Sequence, residues 1–293
     1  MGKIMRKILI TGNKGFVGRH LKKYYADYKT EFTLVDINGG EDARAFFKRD
    51  DTQFDMVFHC AALVGGRLFI ENAPLSVALD LSIDAEFFNW VIRTRPKAVA
   101  YFSSSAAYPI ELQTLNSGHK LKETDIDLNN IKNPDYTYGW AKLTGEYLAQ
   151  FALENKINVK VFRPFSGYGE DQDLAYPFPS FIMRGKMKED PFNIWGNGQQ
   201  VRDWIHIDDI VRAIDEAFKQ DVPGPINLGN GRATSFLELA DLVQKEAGYS
   251  APVSLQSDMP SGVMYRVSDN SKLLSFYTPK ITLEEGIARA LKV

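Results

Sequence analysis

The stretch "KILITGNKGFVG", residues 7–18, constrains this chain more than any other. A short apolar run ends at Thr11-Gly12. Gly15 and Gly18 follow, inside the start of a helical pattern that runs from Phe16 to Tyr25. Glycine permits a tight turn and close approach of backbone to a ligand. A helix start adds unpaired N–H groups and the positive end of its dipole. Strand, glycine turn and helix in that order make a cradle for a pyrophosphate, and this context gives weight to a glycine triplet that is weak alone. The stretch predicts a dinucleotide site at Gly12, Gly15, Phe16, Val17 and Gly18.

The alternation continues down the chain. "FTLVD" (32–36), "FDMVFHCAA" (54–62), "AVAYFSSS" (98–105) and "NVKVFRP" (158–164) read as strands, with helical patterns such as 79–92 between them. Strands alternating with helices predict an α/β fold, a doubly wound parallel (Rossmann) sheet covered on both faces. After Pro164 the pattern breaks in "SGYGEDQDLAYPFPS". Amphipathic helices then follow at 207–220 and 235–248. We expect a dinucleotide-binding domain over 1–165 and a smaller α/β substrate lobe over 166–293. The two are partly interleaved, with about 200–230 returning to the first domain. A chain of 293 residues is ample for both cores.

Composition narrows the function. Net charge is −2, with 35 basic against 37 acidic residues, which does not suit a nucleic-acid partner. No apolar run approaches the length that spans a bilayer, so no membrane partner is expected. A single cysteine, Cys60, leaves no internal disulfide, and a cytoplasmic location is the expectation. Histidines 20, 59, 119 and 206 lack metal-ligand spacing, so no metal is expected. His59 and Cys60 read as packing residues at a strand end.

Asp36 closes the second apolar run, 24 positions after Gly12. A carboxylate there can accept both ribose hydroxyls of an adenosine and would repel a 2′-phosphate, which favours NAD over NADP. "DYTYGWAK" sets Tyr138 and Lys142 at i and i+4, one face of a helix. An ammonium beside a phenol favours the phenolate, which can then take a proton from a sugar hydroxyl. The third feature is "YFSSSAAYP", where Ser103, Ser104 and Ser105 stand at the end of an apolar strand. Serines in turns commonly bond nearby backbone, and that reading stays open on the residues alone.

Taken in order, "TGNKGFVG", "VFHCAA", "FSSSAAYP", "YTYGWAK", "FRPFSGYG", "GNGQQVRDWIHIDDI" and "INLGNG" resemble the extended short-chain dehydrogenase/reductases of the nucleotide-sugar epimerase/dehydratase group. The resemblance covers nearly the whole chain. It implies a catalytic Ser104, Tyr138 and Lys142, with Ser104 lying four residues before the family's strand-end tyrosine, here Tyr108. It implies an NAD site that also uses Asp36, Ala61, Ala62, Ser103, Tyr138, Lys142 and Pro164. On the substrate side it implies a nucleotide-diphosphate sugar held by Ser104, Ser105, Ser166, Arg202 and Arg266, the two arginines on the diphosphate. Ser166 stands where many members of the group carry Asn.

Ala106 separates this chain from part of the group. The 4,6-dehydratases carry Glu at that position, and the fucose synthase-like and mannose 3,5-epimerase-like members carry Cys. Those enzymes move protons at carbon 3 or 5, which a methyl group cannot do. The expected activity is therefore an NAD-dependent nucleotide-sugar 4-epimerase acting through a transient 4-keto sugar. The alternatives are a 4-keto-sugar reductase, a nucleotide-uronate decarboxylase and a non-catalytic dinucleotide-binding regulator. The resemblance further implies a homodimer formed by the helices at 79–92 and 138–154.

Overall fold

The computed structural model describes residues 5–293. Six strands form the main sheet: β1 (Arg6–Thr11), β2 (Thr30–Val35), β3 (Met56–His59), β4 (Val99–Phe102), β5 (Val159–Pro164) and β6 (Ile226–Leu228). They lie in the order 2-1-3-4-5-6, and every neighbouring pair is parallel. This is the doubly wound sheet expected from the alternation of runs. The order reverses at β1, and ligands of such sheets bind there, beyond the carboxyl ends of the strands.

The period-two geometry of the strands explains why both faces are covered. Ile8, Ile10, Phe58, Ala100 and Phe162 pack on one side with Leu21, Tyr25, Ile210 and Ile214. Leu9, Val57, Val99, Tyr101 and Val161 pack on the other with Phe47, Phe87, Trp90 and Ala149. The first layer is made by helices Phe16–Ala26 and Ile207–Lys219. The second is made by Ala43–Arg49, Asp80–Thr94 and Tyr136–Glu154.

Between β5 and β6 the chain leaves the sheet and returns. The smaller lobe has its own core, in which Phe178, Phe181, Ile194, Trp204, Phe236, Leu239 and Ile287 pack together. Its short strand Val201–Arg202 pairs with Thr234–Ser235 on one side and with Tyr265–Ser268 on the other, giving a mixed sheet. Among the described residues, no helix is long and apolar enough to cross a membrane.

Candidate active site

Every sequence-predicted site residue of the first domain lies on, or just past, the carboxyl end of a strand, or on the helix that flanks it. The glycine loop follows β1. Gly12 has φ +69°, and a Cβ on it would sit 2.6 Å from the Cys60 carbonyl carbon. A Cβ on Gly18 would sit 2.3 Å from the Gly12 carbonyl oxygen. Only hydrogen fits at either position, so the Phe16–Ala26 helix starts hard against the loop. Its cap, Gly15, makes no side-chain hydrogen bond. The first-turn N–H groups are left for an anion.

Asp36 follows β2 and is buried. Its Oδ2 accepts from the Lys14 N–H at 2.8 Å and its Oδ1 from the Asn38 N–H at 2.8 Å. The carboxylate is thereby fixed, and each oxygen keeps a second lone pair for a ribose hydroxyl. Ala61 and Ala62 follow β3, and the Ala61 N–H donates to Thr11 Oγ1 at 3.3 Å. Pro164 ends β5 opposite Leu228. Glycine cradle, open helix start and fixed acid fit the pyrophosphate and adenosine portions of a dinucleotide.

The three serines past β4 divide their tasks. The buried Ser103 hydroxyl donates to Glu146. Ser104 caps a single 3₁₀ turn, its Oγ accepting from the Ala106 N–H at 3.1 Å, and its hydroxyl is near enough to the Tyr138 phenol to lower its pKa. Ser105 is buried inside that turn. The turn sits directly on the Tyr136–Glu154 helix, since a Cβ on Gly139 would lie 2.4 Å from the Ala106 carbonyl oxygen.

Lys142 lies one turn beyond Tyr138, with Nζ 5.9 Å from the Tyr138 ring centroid and 5.6 Å from that of Tyr101. Burial pushes the Tyr138 phenol above the usual tyrosine value. Lys142 and the nearby Ser104 hydroxyl pull it back, while Asp80 and Asp84 add to the rise. Burial works against a charged Lys142, but Asp84, Tyr138 and Asp80 outweigh it and hold the ammonium above its ordinary value. Ser104, Tyr138 and Lys142 therefore form one contiguous group, with Lys142 cationic.

The two acids behind Lys142 escaped the sequence reading. Asp80 and Asp84 stand one turn apart on the Asp80–Thr94 helix, both buried. Asp84 accepts from Tyr101 OH at 2.5 Å and lies 3.1 Å from His59 Nε2. Asp80 accepts from the Leu63 N–H at 2.5 Å, and among the described residues its Oδ2 has no partner. The i,i+4 spacing of two acids on an apolar helix was the available signal. His59 stacks on Phe87 at 3.8 Å, bonds Thr11 and Asp84, and is kept below its usual pKa by burial. Burial likewise pushes the Cys60 thiol up. Both are packed, as expected. Among the described residues, no His, Cys, Asp and Glu group has the makings of a metal site.

On the lobe side, Ser166 begins a short strand beside Trp204–His206, with its N–H on the Asp203 carbonyl at 2.9 Å. Arg202 and Arg266 are paired residues of adjacent strands. Arg202 Nη1 donates to the Val201 and Val263 carbonyls at 2.9 and 2.8 Å, and among the described residues no carboxylate bonds it. Its neighbour Asp203 turns away and accepts from the N–H groups of Asn230, Gly231 and Ser268. Burial, then repulsion from Arg266 and Arg67, brings the Arg202 guanidinium down to about 9. Arg266 Nη2 donates to Asp135 at 2.7 Å. Asp135 also takes Arg67, whose Nη1 lies 3.0 Å from each carboxylate oxygen. Arg67 lies between the quoted motifs and Asp135 at the head of "DYTYGWAK", and no spacing links the two. Ser104, Tyr138 and Lys142 thus lie past the strand ends, with the arginine cluster close enough for Tyr138 to act on Arg266.

Comparison with known proteins agrees with this architecture. The model of the NAD dependent epimerase/dehydratase family matches residues 8–229, and the chain belongs to that family. It is an NAD-dependent family of extended short-chain dehydrogenase/reductase type. The chain is 27% identical to a GDP-mannose 3,5-epimerase of Arabidopsis thaliana, over 96% of this chain and 80% of that one. It is 26% identical to a dTDP-4-dehydro-6-deoxy-D-allose reductase of Streptomyces, over 92% of this chain and 89% of that one. A crystal structure of the UDP-glucose 4-epimerase of Thermotoga maritima with UDP-glucose superposes with a TM-score of 0.80. The identity there is 24%, and 98% and 97% of the two chains are covered.

Proposed function

We propose that this protein is an NAD-dependent nucleotide-sugar 4-epimerase that works through a transient 4-keto sugar. The observation that carries the reading is the contiguous Ser104, Tyr138 and Lys142 group closed by Ala106, a residue with no acid or base. NAD, when bound across the glycine loop and Asp36, supplies the reversible hydride acceptor for carbon 4. Tyr138 takes the proton of the 4-hydroxyl and later returns it. Ser104 bonds the same sugar oxygen and steadies it as it passes between hydroxyl and ketone. Lys142 stays charged and favours the phenolate that does the work. Arg202 and Arg266 hold the diphosphate, since a guanidinium fork suits phosphate oxygens. Ser105 and Ser166 serve the sugar end.

The protein is also expected to pair with a second copy of itself. Leu81 of one long helix and Trp140, Tyr147 and Phe151 of the next are each at least 40% exposed, an apolar surface that a second copy would cover.

Turnover in heavy water tests the chemistry. A base must lie within about 2.6–3.2 Å of its proton or one water away. With Ala106 in place, carbons 3 and 5 of the product should stay unlabelled, and deuterium placed on carbon 4 of the substrate should be retained. Solvent deuterium at carbon 3 or 5 would overturn the 4-epimerase assignment. Product that forms only with stoichiometric loss of added NADH would replace it with the reductase.

A further inference from the structure

Arg67, Arg202 and Arg266 form one cluster in which the charges repel: Arg266 and Arg67 both act on Arg202, and Arg67 acts on Arg266. Gly262 locates two of them. A Cβ there would lie 3.4 Å from Arg202 Nη2 and 3.6 Å from Arg67 Cδ. Two carboxylates answer the three guanidiniums, Asp135 and Glu71, so the cluster carries a positive surplus. Such a surplus is costly unless an anion meets it.

Arg67 is built as a rigid member of the cluster. Its Nε donates to Glu71 at 2.5 Å, its Nη1 faces both oxygens of Asp135, and its guanidinium carbon lies 4.5 Å over the Tyr136 ring. Among the described residues its Nη2 has no hydrogen-bond partner. A guanidinium fixed on two nitrogens and one face keeps its remaining donors aimed, at little entropic cost on binding.

Asp135 is the hinge of the arrangement. Its N–H donates to the Ala106 carbonyl at 2.9 Å, and its own carbonyl accepts from the Gly139 N–H at 2.8 Å. It thereby joins the Ser104 turn to the first turn of the Tyr138 helix. Its carboxylate, meanwhile, holds Arg67, the first residue of the Arg67–Asn72 helix, and Arg266 from the lobe. We propose that Arg67 is a third guanidinium of the substrate's diphosphate site, and that Asp135 is the positioning residue that holds it beside Arg266. This inference rests on the nucleotide-sugar reading above. It gives that reading a direct connection between the diphosphate grip and the proton-transfer residues.

The test is calorimetric titration of the NAD-loaded protein with UDP, GDP and dTDP, with thermal melting of each variant as a check on folding. Arg202→Gln should weaken the tightest of the three. Arg67→Gln should weaken it about tenfold, the usual size for one charge-assisted hydrogen bond. Arg67→Lys keeps the charge without the fork and should recover only part of that loss. Asp135→Asn should weaken binding about threefold, and this loss should at least halve on a logarithmic scale in the Arg67→Gln background. A purely structural Asp135 would cost the same in both backgrounds, and that result overturns its positioning role. Arg67 variants within twofold of the unaltered protein, beside a weakened Arg202→Gln, overturn the inference alone. If Arg202→Gln changes nothing, or none of the three nucleotides binds, the nucleotide-sugar reading itself falls.

Discussion

The two sides of the cleft carry opposite imbalances of buried charge. Behind Tyr138, two carboxylates, Asp80 and Asp84, act on the single ammonium of Lys142. On the lobe side, three guanidiniums share Asp135 and Glu71, and among the described residues Arg202 forms no salt bridge, feeling Asp135 only at a distance. A third buried pair, deeper in the fold, is matched. Arg163 donates Nε and Nη2 to the two oxygens of Glu146 at 2.9 and 2.6 Å, and its Nη1 to Tyr108 OH at 3.0 Å. Matched pairs satisfy themselves and hold a fold together. Mismatched ones cost stability until something of the opposite sign arrives. The acid-rich side suits the positive charge of an oxidised nicotinamide, and the arginine-rich side suits a diphosphate.

If the acid-rich side is where bonds change, its removal must cost the most in rate and little in binding. Tyr138→Phe keeps the ring and removes the proton acceptor. We expect turnover to fall ~10²–10⁴-fold, the range for one positioned acid–base group, with bound NAD and thermal stability nearly unchanged. Stopped-flow or product assays on the true substrate would measure it. Near-normal turnover would remove Tyr138 from the chemistry and end the contrast between a reacting side and a gripping side.

Much of this contrast could be read from the sequence, but not the imbalance itself. Gly12, Gly18, Asp36, Tyr138 and Lys142 are legible because each is tied to a local pattern, a strand end or a helical turn. Five of the six strands of the sheet are legible for the same reason, since they show as short apolar runs, and the sixth was not read as a strand. Its last member, Ile226–Leu228, is three residues long and lies far from β5 in the chain. Asp80, Asp84, Asp135 and Arg67 were not legible. Their meaning comes from contacts between separate elements, as between Arg67 and Asp135, 68 positions apart, or Tyr101 and Asp84, 17 apart. No local spacing encodes such a contact. Arg202 stands in a legible motif, but its sequence neighbour Asp203 does not pair with it. That acid is spent on three backbone N–H groups, and so the arginine is left uncompensated.

The gripping side should show the reverse signature, a loss in binding without a loss in stability. Arg202→Gln keeps a donor for the Val201 and Val263 carbonyls and removes the charge. Nucleoside diphosphate affinity should fall about 10–100-fold, the worth of one or two charge-assisted hydrogen bonds. Melting temperature should hold or rise. The sign follows from the folded pKa of Arg202, about 9 against an ordinary 12.5. A cation with a lowered pKa binds its proton less well in the folded protein. Its cost is therefore fully present below pH 9 and is relieved as pH climbs from there toward 12.5. At neutral pH the substitution removes that cost. A clear drop in melting temperature, with affinity intact, would make Arg202 a structural residue.

Asp80 is the smallest of these tests, and it asks whether the acid-rich side obeys the same rule. Burial raises its carboxyl from 3.8 to about 6, against the pull of Lys142 and the Leu63 N–H, and one oxygen has no partner. An acid whose pKa rises on folding binds its proton more tightly in the folded state. Stability therefore falls as pH rises from about 4 to about 6, and the loss is complete above that window. The whole shift corresponds to about 3 kcal/mol as an upper limit, at 1.36 kcal/mol per unit. Asp80→Asn removes this penalty but also removes one of the charges that keep Lys142 protonated. A net gain of roughly 1–2 kcal/mol is expected, or about 2–5 °C in melting temperature for a chain of this size. Melting curves of both proteins from pH 4 to 8 should start together, separate across pH 4 to 6, and run parallel above. The variant's turnover reads the balance of two opposed effects in the same measurements, since Asp80 itself raises the Tyr138 phenol while it helps to hold the Lys142 ammonium that lowers it. Stability gained with rate lost would mark Asp80 as a charge kept for function. A variant that melts lower at every pH would show its carboxylate to be an ordinary structural acceptor for the Leu63 N–H.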